Sequence, residues 1–155
     1  MNIALNIDDF HLNHIYFNEP IENTIIEDSK FIKLIYSNDD VVLNGLFLFL
    51  DIKPIQKEVY FKKIKYYFEL NNNMQKLNKI FEIEESILEL YNKNKNKKMI
   101  IKDVLKSGIL KLFPNYEDEI QNNKVVNDIN NFILKISGIW ENNDEIGITY
   151  KIIPF

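Results

Sequence analysis

The chain has 155 residues, of which 46% are apolar, so it is long enough to bury the core of one domain. It contains no cysteine, which excludes disulfides and thiolate metal sites and favours a reducing compartment. The net charge is −4 and all 19 basic residues are lysine, which excludes the bidentate arginine contacts typical of proteins that read duplex sequence. We predict a single domain over 1–155, without a secretory signal, a spanning helix or membrane contact.

The first part of the chain is polar and weakly patterned. It contains Pro20, scattered acids and little alternation, so we expect an irregular arm over 1–30. His11 and His14 lie three residues apart and close to two aspartates, so they could supply two imidazole ligands of a metal site. The sequence offers no further His or Cys ligand. We therefore predict surface histidines, with no metal and no cofactor.

Two strongly β-like runs follow, over 31–36 and 41–53, with a polar turn at 37–40 between them. Their composition and alternation predict a hairpin. The second run is apolar on both faces, which is typical of a strand that is covered on both sides. Gly45 interrupts this run, and an isolated glycine in a strand indicates a bulge or a tight bend.

A third strand is predicted over 57–70, where lysines alternate with aromatic residues. Aromatic rings stack on bases and ammonium groups contact phosphates, so such a strand face is typical of proteins that bind single-stranded nucleic acid. An ordinary solvated sheet face, on which lysines discourage edge pairing, is the alternative. The binding candidates on this face are Phe61, Lys63, Lys65 and Tyr67.

The longest helical periodicity runs over 74–91, after a cluster of three asparagines suited to capping. Its polar face is rich in glutamate. We expect a hydrated surface there rather than a cation site. The glutamates are Glu82, Glu84, Glu85 and Glu89.

The next segments are shorter. Residues 92–98 alternate Asn with Lys and predict a flexible exposed loop. A short helix over 99–107, ending before Gly108, and a small strand over 109–113 come next. Residues 115–131 form an acidic, Asn-rich connection.

Two period-2 segments, 132–141 and 145–153, flank an Asn/Asp cluster and predict a terminal β-hairpin. Trp140 is the only tryptophan in the chain. It shares strand parity with the apolar residues of its segment, which favours a place in the core, whereas an exposed ring would stack on bases. Lys135 and Lys151 are candidates for phosphate contacts.

The strong signals occur in the order strand, strand, strand, long helix, strand, strand. This is the order of the OB-fold, a five-stranded barrel with a helix between its third and fourth strands. We therefore predict an α+β, mainly β chain with an OB-like five-stranded barrel and a long helix between strands 3 and 4. A mixed α+β sheet with helices on one face is the structural alternative, since period-2 patterns do not reveal closure.

Several segments resemble proteins of AT-rich nucleocytoplasmic giant viruses, namely 31–37, 43–45, 133–141 and 146–151. This resemblance implies the cytoplasm or nucleus of an infected cell, or the virion, but implies no activity. The terminal hairpin is also similar to the closing strands of phage T7-type single-stranded DNA-binding proteins. The chain departs from that pattern because its last residues, 151–155, are mostly apolar instead of acidic.

No Gly-rich phosphate loop and no nucleophile with a histidine partner is visible, so we predict that the protein is not an enzyme. The leading hypothesis is a non-catalytic, OB-type protein that binds single-stranded nucleic acid, DNA in preference to RNA, in viral replication or genome handling. The alternative is a structural or interaction module of a viral assembly. It would dock through an apolar terminus or form a homo-oligomer through an edge strand. The terminal residues are Ile152, Ile153, Pro154 and Phe155.

Overall fold

The computed structural model describes residues 4–112 and 131–154. They form a mixed α+β fold in which strands predominate over helices. The elements in chain order are β1 (Ile15–Phe17), β2 (Ile21–Glu22), β3 (Lys30–Ser37), β4 (Val42–Leu43), β5 (Leu46–Leu50), β6 (Pro54–Tyr60), β7 (Lys63–Phe68), α1 (Met74–Tyr91), β8 (Asn96–Lys98), α2 (Ile100–Lys106), β9 (Ile109–Leu112), β10 (Phe132–Glu141) and β11 (Glu145–Pro154). Short 3₁₀ turns precede β1 and α1.

The main sheet is built around β10. On one side β10 pairs antiparallel with β11 along its whole length. On its other side it pairs first with β5, over 132–136, and then with β3, over 138–141. Strand β3 also pairs with β1, β2 and β4, and β11 pairs with β8. Among residues 4–112 and 131–154, these pairings do not close the sheet into a barrel.

Gly45 lies between β4 and β5, at the point where the chain stops pairing with β3 and begins to pair with β10. Strand β4 pairs with β3, whereas β5 pairs with β10. Gly45 has a φ of +129°, and a Cβ there would lie 2.8 Å from the carbonyl oxygen of Ile136. Only glycine combines this backbone conformation with such a close approach. The bend predicted at Gly45 is confirmed.

The prediction of one strand over 57–70 is wrong. This segment is part of a hairpin of β6 and β7, with Phe61 and Lys62 in its turn. Neither turn residue is Gly, Asn or Asp, so the usual sequence signal of a tight turn is missing. Strand β7 also pairs with β9, which makes a second, three-stranded sheet. The rings of Tyr66 and Phe132 lie 5.2 Å apart between their centroids and join the two sheets in one core.

Several other sequence predictions are confirmed. Helix α1 covers 74–91, and α2 ends just before Gly108, whose φ is +73°. The terminal hairpin consists of β10 and β11 as predicted. Of the connection predicted over 115–131, only Asn131 belongs to the described part of the chain.

Two segments are more ordered than the sequence predicts. The arm over 1–30 holds the short strands β1 and β2. The predicted loop over 92–98 ends in β8, which pairs with β11. This loop is anchored because the Lys95 ammonium lies 3.0 Å from the Glu141 carboxylate and donates a 2.6 Å hydrogen bond to the carbonyl oxygen of Asn142.

Glu84 of α1, predicted on a hydrated face, is fully buried. Its two carboxylate oxygens accept hydrogen bonds from the backbone N–H groups of Ile101 and Lys102, both 2.9 Å long. These donors open the first turn of α2, so the carboxylate caps α2 and ties it to α1. Burial raises the pKa of Glu84 above its ordinary value, while the two hydrogen bonds act in the opposite direction.

The raised pKa of Glu84 predicts a specific pH dependence of stability. Its ordinary value is near 4.5. The stability that Glu84 contributes is fully present below that value and is lost as the pH rises through the higher pKa of the folded state. Glu84→Gln does not titrate, so its unfolding free energy minus that of the wild type should increase from about pH 4 to pH 7 in urea unfolding. The Glu85→Gln variant, which removes an exposed carboxylate from the same helix, is the control. Parallel profiles of the wild type and Glu84→Gln would contradict the assignment.

Candidate nucleic-acid interface

A β-bulge in β10 decides which side chains share a face of the main sheet. Ile136 lies opposite Tyr150, but Gly138 lies opposite Thr149, so Ser137 is an extra residue on β10. Because side chains alternate along a strand, one extra residue reverses the parity of everything that follows. The residues after the bulge therefore point to the opposite faces from those that simple alternation predicts.

The bulge moves Trp140 out of the core. The core position that strand parity predicted for Trp140 is therefore wrong. Ile139 takes the inward position and is fully buried, whereas Trp140 is half-buried on the opposite face of the sheet. Its ring covers Gly147 of β11, where a Cβ would lie 2.5 Å from ring atoms. At Gly138, beside the bulge, a Cβ would overlap the carbonyl oxygen of Ile32 and lie 2.9 Å from the Phe31 ring.

The face that carries Trp140 is called the outer face. Its side chains form rows across neighbouring strands, because directly paired residues point to the same side. Beyond the apolar row Phe49–Ile133–Ile153, three rows carry the candidate residues. The rows are Phe31–Trp140–Gly147, Lys33–Gly138–Thr149 and Phe47–Lys135–Lys151. None of these residues is acidic: the three rows hold three aromatic rings, three lysines, two glycines and one threonine.

The inward-facing neighbours of these rows are fully buried, which confirms the separation of the two faces. Ile32, Leu34, Leu46 and Leu48 of β3 and β5 all have an exposed fraction of 0%. By contrast, the aromatic rings of the outer face are half-buried and Lys151 is exposed. The outer face is therefore open to a ligand along part of each ring.

One cation of the outer face lies over an aromatic ring. The Lys135 ammonium is 5.2 Å from the centroid of the Phe47 ring, within the range of a cation–π interaction. The contact holds the ammonium beside the ring, so an aromatic surface and a cation lie together on the outer face.

The small sheet carries a second set of candidates. Lys63, Lys65 and Tyr67 lie on β7, opposite in parity to its buried residues. The Tyr67 hydroxyl donates a 2.7 Å hydrogen bond to the Glu58 carboxylate, and this bond is the main cause of the raised pKa of Tyr67. Because Glu58 also pairs across the strands with Lys65, this face carries a carboxylate among its lysines, unlike the three rows of the outer face.

The seven residues predicted for nucleic-acid binding thus fall on two separate sheets. Lys135, Trp140 and Lys151 share the outer face of the main sheet. The other four belong to the β6–β7 hairpin, where Phe61 occupies the turn instead of a strand face and is 86% exposed. The structure does not bring the seven together in one site.

The candidates predicted from the sequence did not include Phe31, Lys33 and Phe47 of the outer face. The sequence did contain an indication. Phe31 and Lys33 alternate with Ile32, Leu34 and Tyr36, which suit the buried face of a strand. Lys111 on β9, which lies opposite Lys65 in the small sheet, was missed as well.

The other predicted sites have simple structural roles. His14 Nδ1 lies 3.1 Å from the Tyr36 hydroxyl, and the part of the chain that the structure describes holds no cluster of three potential metal ligands. Ile153 and Pro154 are paired in β11 with Ile133 and Phe132, so the terminus is part of a strand up to residue 154. Phe155 lies outside the described residues.

Comparison with known proteins finds no relatives. No protein family, no curated protein and no solved structure matches the chain significantly. Neither described helix is long and apolar enough to cross a membrane.

The close approach at Gly138 predicts a cost for any side chain there. In Gly138→Ala, the new methyl group meets the Ile32 carbonyl and the Phe31 ring, and we expect a loss of about 1–3 kcal/mol in the free energy of unfolding. Urea denaturation measures this loss. Ser137→Ala, at the bulge itself, is the matched control and should be much closer to the wild type. Equal stability of Gly138→Ala and the wild type would contradict the geometry of the bulge.

Proposed function

We propose that this protein binds single-stranded nucleic acid, without catalysis, through the outer face of the main sheet. The observation that carries the proposal is the bulge at Ser137, because it places Trp140 beside Phe31 and in the same face as three lysines. Rings on a sheet with cations between them are the usual platform for single strands.

The chemistry divides between the two kinds of side chain. Phe31, Phe47 and Trp140 would stack on bases, and each stacked base is worth about 1–3 kcal/mol. Lysines on the same face would contact phosphates as point charges. Stacking and point charges do not distinguish bases, so we expect binding with little sequence preference. The proposal includes an OB-like fold and a preference for DNA over RNA.

Binding should change the fluorescence of Trp140, the only tryptophan in the chain. Titration with oligo-dT should quench this fluorescence, and the affinity should fall as salt rises, because bound lysines release counterions from the phosphates. Oligo-rU of the same length tests the preference for DNA. Absence of any fluorescence change or binding at low salt would contradict the proposal.

Single substitutions separate the electrostatic part from the stacking part. Lys135→Gln should weaken oligo-dT binding and lower the slope of log affinity against log salt by about 0.7. Phe47→Leu should weaken binding by roughly 1–3 kcal/mol and leave that slope unchanged. Lys106→Gln changes an exposed lysine of α2 and is the control. A Lys135→Gln variant that binds like Lys106→Gln would exclude Lys135 from the site.

A second candidate function is that of an interaction module. Three large apolar side chains lie at the edges of the outer face, where their strands pair with β3: Tyr16 is 55% exposed, Ile21 60% and Val42 72%. Exposed apolar side chains on one face of a sheet are typical of a surface that contacts another protein, including a second copy of the chain. Sedimentation of the wild type and of Ile21→Ser over a range of concentrations tests this candidate, which predicts self-association in the wild type only.

A further inference from the structure

The tip of the β6–β7 hairpin exposes three consecutive apolar side chains. Val59 is 62% exposed, Tyr60 56% and Phe61 86%. The rings of Tyr60 and Phe61 pack edge to face, with centroids 4.6 Å apart. At the base of the tip, Ile64 is buried in the core and fixes the hairpin to the body of the protein. The hairpin therefore exposes apolar side chains at its tip and is held to the protein by a buried residue next to the turn.

The charge of the tip is opposite to that of the rest of the chain. Residues 57–65 contain four lysines and one glutamate, a net charge of +3, whereas the whole chain carries −4. The glutamate, Glu58, accepts the hydrogen bond from Tyr67. The whole-chain charge, which argues against anionic partners, therefore does not describe this hairpin. A surface of high negative charge is its natural complement.

The mixture of side chains distinguishes between two kinds of anionic partner. Nucleic acid would use flat rings, and the aliphatic side chain of Val59 would contribute no stacking. The boundary between lipid headgroups and acyl chains accepts aliphatic and aromatic side chains alike, and lysines beside them meet the headgroup phosphates.

The dimensions of the hairpin fit this boundary. Apolar groups of surface-bound proteins enter it to a depth of about 5–10 Å. Lys62 lies beside Phe61 in the turn and Lys63 lies opposite Tyr60, so their long side chains can reach back from the inserted rings to the phosphates. At a rise of about 3.4 Å per residue, Lys65 and its partner Glu58 lie roughly 10 Å behind Phe61.

We propose that the β6–β7 hairpin docks this protein on anionic lipid bilayers, with Val59, Tyr60 and Phe61 inserted and the lysines of residues 57–65 on the headgroups. The proposal is independent of nucleic-acid binding, since it uses a different sheet and none of the residues of the outer face. The protein would lie on the membrane surface, held by one hairpin.

Co-flotation of the full chain with vesicles tests the proposal. Phosphatidylcholine vesicles with about one third phosphatidylserine should carry the protein, and pure phosphatidylcholine vesicles should carry much less. Phe61→Asn should weaken binding about tenfold, because the most exposed of the inserted side chains is lost. Asparagine tolerates the φ of +51° at this position, so the turn is kept. Lys62→Gln together with Lys63→Gln should remove most of the dependence on phosphatidylserine.

Tyr16→Ser, which removes a comparably exposed ring on the main sheet, is the matched control and should bind vesicles like the wild type. Far-UV circular dichroism and thermal melting check that each variant is folded. The proposal is overturned if the wild type ignores anionic vesicles at low salt, or if folded Phe61→Asn binds them as well as Tyr16→Ser does. It is also overturned if Phe61→Asn loses oligo-dT binding but not vesicle binding, which would make the tip a nucleic-acid element.

Discussion

The arrangement of the main sheet depends on the one extra residue in β10. Strand β10 must pair with β11 on one side while exchanging β5 for β3 on the other, and the bulge at Ser137 lies at the point of exchange. A bulge adds local twist and reverses the direction of the side chains beyond it. Ile139 thereby fills the core and Trp140 faces outward. Glycines at positions 45, 138 and 147 make room for the crossing strands and for the tryptophan ring.

The protein has two lysine-bearing surfaces of different character. The outer face is wide, aromatic and cationic, with rings that are half-buried and therefore held in place. The hairpin tip is narrow, with three exposed apolar side chains beside the lysines of its turn. Both are basic regions of a chain whose net charge is −4, so acidic residues are concentrated elsewhere. Such segregation lets local surfaces attract anions that the protein as a whole would repel.

Local signals predicted the helix over 74–91, the terminal hairpin and the bend at Gly45, because periodicity and glycine act within a few residues. The misses have longer-range causes. The turn at Phe61 has none of the usual turn residues, and its conformation depends on β6 and β7 pairing with each other. Glu84 is buried because of donors 17 residues away in α2. Parity cannot reveal a bulge, so the face of Trp140 follows only from pairing with β11. Phe31 and Phe47, which lie beside Trp140 and Lys135 on the outer face, were missed as well.

Backbone amide chemical shifts, followed by NMR as oligo-dT is added, test the central claim most directly, because they locate the ligand on the sheet. The proposal predicts that the largest changes fall on the three rows of the outer face in β3, β5, β10 and β11, and on the indole N–H of Trp140. The β6–β7 hairpin should change little. Changes confined to β6 and β7, or none at a saturating concentration in low salt, would contradict the assignment of the outer face as the binding site.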